Sequence, residues 1–208
     1  MKLKKIALLG AVMALCLLCG CGQKQEEEAS QETKPEAVAV EEKVTAYADI
    51  AIRDYGTVTV ALCGEAAPET VENFITLAKD GFYDGLTFHR IMEGFMMQGG
   101  DPNGNGTGGS DRTIIGEFSA NGFENPLSHT RGALSMARAQ PFDSASSQFF
   151  IVHEDSTFLD GQYAAFGYVT EGMDVVDQIC KEAKPVDNNG TIPAEDQPVI
   201  ESVTIREA

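Results

Sequence analysis

The feature that most constrains the fold is how often glycine interrupts a β-prone chain. From residue 46 onward, runs rich in β-branched and aromatic residues stop after a few positions and give way to loops of Gly, Asn, Asp and Ser. Such runs lie at 49–52, 57–62, 87–91, 95–99, 132–136, 148–152, 164–169 and 199–205. Asp54, Tyr55 and Gly56 separate the first two and read as a hairpin turn. Only two stretches carry a helical period. In 68–80, Val71, Phe74, Ile75 and Ala78 share one face, Pro68 is pre-set for the first turn, Glu69 and Glu72 suit the positive N-terminal end, and Gly81 is placed to end the helix. In 173–181, Met173, Val176 and Ile179 or Cys180 line the buried side. Many short strands with two helices predict a mainly β domain, a closed or nearly closed antiparallel barrel.

The residues before this domain belong to another class. Lys2, Lys4 and Lys5 precede an uncharged apolar run at 6–18, too short to span a bilayer and suited to a signal peptide. The run ends in Leu18-Cys19-Gly20-Cys21, which resembles the bacterial lipoprotein signal, with Cys21 as the lipidated first residue of the mature chain. Residues 21–44 hold Glu26-Glu27-Glu28, several Gln and Pro35, and almost nothing that could build a core, so they read as a disordered acidic tether. The expected organisation is a signal at 1–20, a lipidated Cys21 with its tether at 21–44, and one domain at 45–208. This implies an extracytoplasmic protein attached to the cell membrane through lipid on Cys21.

Of the 208 residues, 43% are hydrophobic, enough for one sizeable core, and the formal net charge of −17 argues against nucleic-acid binding. After loss of Cys16 and Cys19 and lipidation of Cys21, only Cys63 and Cys180 remain, which form no disulfide framework and no metal motif. They read as small apolar core residues, and a bridge between them stays open. There is no Gly-x-Ser-x-Gly elbow, and His89, His129 and His153 lack metal-ligand spacing, so each reads as a surface or hydrogen-bonded residue. Asp101-Pro-Asn103-Gly-Asn105-Gly106 imitates the start of a calcium loop, but Arg112 stands where the bidentate Glu is needed. The same glycine-rich stretch lacks the Gly-Lys-Ser/Thr of a phosphate loop.

Two longer segments are specific. One is Phe88-His89-Arg90-Ile91-Met92-Glu93-Gly94-Phe95-Met96-Met97-Gln98-Gly99-Gly100-Asp101. The other is Leu134-Ser135-Met136-Ala137-Arg138-Ala139 followed by Ser146-Ser147-Gln148-Phe149-Phe150-Ile151. Gly106-Thr107-Gly108-Gly109, Phe158-Leu159-Asp160-Gly161 and Phe166-Gly167 complete the series. From about residue 48 to its end, the chain resembles the cyclophilins. The resemblance implies an eight-stranded closed antiparallel barrel capped by two α-helices, peptidyl-prolyl cis-trans isomerase activity, and a substrate groove on the barrel's outer face. It makes Arg90 the catalytic arginine, with Gln98 as the polar residue beside it. Phe95, Met96, Phe150 and Leu159 would receive the proline ring. Ala137, Arg138 and Ala139 would pair with the peptide before the proline, and Gly106, Gln148, Phe158 and Tyr163 would complete the groove. The partners implied are proline-containing peptides and unfolded secreted proteins, met by a monomer that needs no metal or organic cofactor. A peptide-binding chaperone without turnover would have less need of Arg90.

Strand alternation places Gln148 and Phe150 on one side and Phe149 on the other, and puts Met96 with Gln98 on one face and Phe88 with Arg90 on another. Phe158, Tyr163 and Arg138 stand where many animal members have tryptophan, histidine and asparagine. The tryptophan position is associated with cyclosporin binding, so Phe158 argues against high affinity for that drug. Tyr163 keeps an aromatic face with a polar tip.

Overall fold

The computed structural model describes residues 44–208. The signal segment, Cys21 and all but the last residue of the tether lie outside the described residues. Among these, the elements follow in the order β1 (Ala46–Ile52), β2 (Gly56–Leu62), α1 (Pro68–Lys79), β3 (Thr87–Met92), β4 (Met96–Asp101), β5 (Ala133–Met136), β6 (Phe149–Val152), β7 (Ala165–Glu171), α2 (Met173–Glu182) and β8 (Ile200–Glu207). No described helix is long and apolar enough to cross a membrane.

All strand pairs are antiparallel, and the eight strands form one curled sheet in the order β3-β4-β6-β5-β7-β2-β1-β8. β3 and β8 are the two edges of the ladder. They meet only around residue 199, through a bridge between Thr87 and Val199 and bonds from Phe88 N to Pro198 O and Ile200 N to Leu86 O. Pro198 has no N–H to donate, which limits pairing at that point. Beyond it, residues 190–192 cover the β3 edge, with Ile91 N donating to Gly190 O and Ile192 N to His89 O. Covering an edge in this way removes a template for pairing with another chain.

The sheet sorts side chains by alternation. One cluster joins Ile50, Val60, Leu62, Phe88, Ile91, Met97, Phe149, Ile151 and Phe166 with the inner faces of α1 (Val71, Phe74, Ala78) and α2 (Val176, Ile179, Cys180). Its centre is aromatic: the Phe74 ring lies 5.1–5.4 Å from those of Tyr83, Phe149 and Phe166. A second, separate cluster on the other side of the sheet contains Met96, Ala133, Phe150, Val152 and Leu159. Cys63 and Cys180 are buried in different clusters, so no disulfide joins the two.

The N-terminus of α1 is completed from afar. Ala67 at the cap position offers no side-chain bond. Glu117, only 2% exposed, supplies the acceptors: Oε1 takes the Glu69 N–H at 3.0 Å, and Oε2 takes the Thr70 N–H at 2.8 Å and the Thr70 hydroxyl at 2.6 Å. A carboxylate there satisfies otherwise orphaned donors and meets the positive helix end. Glu117→Ala is expected to cost about 2–3 kcal/mol, by loss of the cap and stranding of buried donors. A lower urea midpoint at unchanged slope checks this, and an unchanged midpoint would contradict it.

Candidate functional site

The site begins with a bulge. On β3, Phe88 pairs with Gly99 and Arg90 with Gln98, so His89 is an extra residue and the register shifts between Phe88 and Arg90. Simple alternation expected Phe88 and Arg90 on one face and Gln98 on another. The bulge overturns this: Phe88 enters the main core, while Arg90 emerges beside Gln98 on the outer face. The backbone at Gly100 supports the neighbouring turn of β4. Its φ is 78°, and a Cβ there would sit 2.7 Å from the Ser147 carbonyl oxygen.

Arg90 is half-buried and held on several sides. Its Nε donates to the Asn189 carbonyl at 2.7 Å and its Nη1 to Gln98 Oε1 at 3.3 Å. The remaining contacts are to thioethers, Nη1 to Met96 Sδ at 3.7 Å and Nη2 to Met92 Sδ at 3.3 Å. Its Cζ lies 5.8 Å from the centre of the Phe95 ring. Burial lowers the guanidinium's pKa, offset in part by Tyr163 and Asp187, but an arginine stays charged at neutral pH. The strong bond to Asn189 fixes direction. The sulfur contacts are weak and leave donor capacity that a better acceptor could claim.

A relay extends from this guanidinium. Gln98 Nε2 donates to Gln148 Oε1 at 2.9 Å, and Gln148 Nε2 donates to the Gly108 carbonyl at 2.7 Å. The loop at its far end is organised by Asp101, whose carboxylate accepts the N–H groups of Asn103, Asn105 and Gly106. Burial opposes its ionisation, but these three bonds prevail and lower its pKa. The carboxylate that mimics a calcium ligand is thus spent on the backbone, and no metal-holding group of three His, Cys, Asp or Glu occurs among the described residues. Gly106 is exposed at φ 88°.

The apolar residues expected around the proline ring come together. Met96, Phe150 and Leu159 belong to the outer cluster, with Phe95, Ala137 and Tyr163 packed against it. Phe150 meets Tyr163 edge-on at 6.0 Å, while Phe95 stacks with Phe158 at 5.7 Å. Phe158 is 71% exposed, so that end of the cluster meets solvent. In the strip 137–139, the Ala137 N–H is already bonded to the Gln148 carbonyl. Arg138 turns inward: it donates to the carbonyls of Gln162, Ala139 and Gln140 and lies 4.8–5.1 Å from the rings of Tyr163, Phe118 and Phe142. Its side chain ties two loops together. Ala139 is exposed beside it.

Several participants escaped the sequence reading. Asn189 and Met92 hold Arg90, and Asn189 reaches it across 99 positions of chain, which no local pattern signals. His89, His129 and His153 are all buried, and for His129 and His153 the hydrogen-bonded one of the two readings holds. His153 Nδ1 accepts the Gly94 N–H at 2.9 Å and steadies the turn before Phe95. His129 and Ser135 form a hydrogen-bonded network with Asp160; Ser135 and Asp160 lie in the motifs Leu134-Ser135-Met136 and Phe158-Leu159-Asp160, while no motif includes His129. A separate cavity of about 340 Å³ between α1 and residues 109–112 contains none of the expected groove residues.

An eight-stranded curled antiparallel sheet with two helices, carrying an arginine beside an apolar cluster on its outer face, defines a protein of the cyclophilin class. The model of the family "Cyclophilin type peptidyl-prolyl cis-trans isomerase/CLD" matches residues 47–208, and the chain belongs to this family of peptidyl-prolyl cis-trans isomerases. Peptidyl-prolyl cis-trans isomerase B of Bacillus subtilis (strain 168) is 50% identical over 123 residues, which is 59% of this chain and 82% of that protein. A peptidyl-prolyl cis-trans isomerase of Helicobacter pylori (strain J99) is 46% identical over 137 residues, covering 65% and 81%. The crystal structure of a Cryptosporidium parvum cyclophilin-type isomerase, determined in the presence of the dipeptide Ala-Pro, aligns with a TM-score of 0.68 at 28% identity over 78% of this chain and 99% of that one.

Proposed function

We propose that the outer-face groove binds proline-containing segments and that Arg90 speeds rotation about the X-Pro bond. The barrier is the partial double-bond character of the amide, about 18–20 kcal/mol. As the bond twists, the proline nitrogen becomes pyramidal and gains acceptor character. A guanidinium at that point bonds the twisted state more strongly than the planar one, and differential binding of this kind accelerates the reaction. The ring rests on Phe95, Met96, Phe150 and Leu159, which hold it while the preceding carbonyl turns. Gln98, steadied by Gln148, orients the arginine. Gly106, Ala137, Ala139, Phe158 and Tyr163 complete the groove, and Arg138 shapes it from behind.

One observation carries this reading: Arg90 is anchored by the Asn189 carbonyl and Gln98 at the edge of the apolar cluster, yet two of its donors end on thioethers. Its test is a coupled or direct assay of cis-to-trans conversion in a proline tetrapeptide. Saturable acceleration by the wild-type protein is expected. Tight peptide binding without acceleration would instead indicate a holdase.

The cellular setting follows from the sequence. Signal-like residues 1–20 and the Cys21 motif support an extracytoplasmic isomerase tethered by lipid, acting on secreted proteins as they fold. Labelling with a radioactive fatty acid is expected to mark the wild-type chain and not Cys21→Ala. Equal labelling of both would refute the anchor.

A further inference from the structure

Arg90 takes its direction from one backbone carbonyl, that of Asn189, which lies in an exposed loop. A carbonyl in a loose loop would aim nothing. This loop is built around Asp187, a residue outside the groove motifs. Asp187 Oδ1 accepts the N–H groups of Asn189 at 2.9 Å and Thr191 at 3.0 Å, and its Oδ2 accepts the Thr191 hydroxyl at 2.9 Å. Its backbone carbonyl takes the Gly190 N–H at 3.3 Å. Three consecutive N–H groups thus end on oxygens of Asp187, and the Asn189 carbonyl belongs to the middle one of those peptide units. An Asp side chain that captures the backbone two residues on is a common way to shape a turn.

The turn also abuts the strand that carries the arginine. The Ile91 N–H donates to the Gly190 carbonyl at 2.8 Å, and Thr191 forms a bridge with Arg90. Gly190 has a φ of 86°, and a Cβ there would sit 2.7 Å from the Ile91 carbonyl oxygen. With the turn pressed on β3, its internal shape decides where the Asn189 oxygen points. Bonds from Thr191, ahead of the one from Asn189, hold the Asp187 carboxyl below the usual carboxylate range, so it is ionised and only accepts. Its charge also favours the charged form of the Arg90 guanidinium.

We propose that Asp187 is a positioning residue for the isomerisation: its carboxylate shapes the 187–191 turn so that the Asn189 carbonyl holds the Arg90 guanidinium at the angle where it meets the twisting prolyl amide. This rests on the reading that Arg90 stabilises the twisted state. The proline ring rests on the outer apolar cluster, of which the turn is no part. A loosened turn therefore leaves ground-state binding in place and misaims the donor, and misplacement at the reacting atoms reduces turnover more than it weakens binding.

The test compares Asp187→Ala with Asp187→Asn, whose amide oxygen can still accept both N–H groups. For Asp187→Ala, kcat on a proline peptide is expected to fall about tenfold with KM within about twofold of wild type. Asp187→Asn is expected to restore kcat to within about threefold of wild type. In an Arg90→Ala background, Asp187→Ala is expected to cost nothing further, because it acts only through the guanidinium. In wild-type protein, the Arg90 Nε–H is expected to give an NMR signal that exchanges slowly with water. The proposal is overturned if folded Asp187→Ala turns over normally, if Asp187→Asn is as impaired as Asp187→Ala, or if the loss persists in full without Arg90. It is equally overturned if the wild-type Nε–H exchanges as fast as that of an exposed arginine, a measurement that needs no variant. If Arg90→Ala turns over normally, the arginine has no catalytic role and the proposed function fails; if Arg90→Ala is impaired and Asp187→Ala is not, only this inference does.

Discussion

Arg90→Ala is expected to lower kcat/KM for a proline peptide by one to two orders of magnitude in a protein that stays folded. The size follows from the bond at stake. A hydrogen bond from a charged donor contributes about 1.5–3 kcal/mol net, and each 1.36 kcal/mol of barrier is a factor of about ten. The fold should tolerate the change. Arg90 is half-buried and its one strong partner is the Asn189 carbonyl, in an exposed loop where water can replace the donor. Gln98 keeps its bond to Gln148. Arg90→Lys is a sharper probe, because an ammonium on a flexible stem cannot hold Asn189 and the twisted amide with one planar fork. It is expected to recover little of the lost rate. A folded Arg90→Ala protein with near-normal kcat/KM would remove the arginine from the mechanism.

The sequence showed the elements well and the connections between them poorly. The eight β-prone runs and two helical faces each correspond to an observed strand or helix, because period and glycine placement are local properties. Phe149 and Phe150 were sorted to opposite sides correctly for the same reason. Alternation failed at Phe88 and Arg90, where His89 inserts one residue into the ladder and turns the arginine outward. A bulge is a relation between two strands, and the residues on one strand do not announce it. The same holds for Glu117 capping α1 across 47 positions and for Asn189 holding Arg90: each bond exists only once the chain has folded back. Arg138 shows a further limit. Its motif position bears on the backbone of the peptide strip and gives no side-chain direction; three aromatic rings and three carbonyls gather its guanidinium, and the rings at 118 and 142 lie in no groove motif.

Neighbours on β6 give the second large effect. Phe150→Ala is expected to raise KM and lower kcat together, because on the proposed reading the ring is both a surface that proline rests on and a wall that orients it. Losing most of an aromatic contact surface removes about 1.5–3 kcal/mol of burial, equivalent to about ten- to a hundredfold in kcat/KM. Phe149→Ala makes the contrast. That ring lies edge-on to Phe74, Tyr83 and Phe88 inside the main core, so its loss is expected to cost about 3–5 kcal/mol of stability and leave kcat/KM of the folded fraction close to wild type. One strand therefore carries two phenylalanines whose truncations part cleanly, one in kinetics and one in the denaturation midpoint. Should Phe150→Ala fold and retain kcat/KM within about twofold, the outer cluster would be a second core without a role in proline binding, and the substrate would have to be sought elsewhere on the surface.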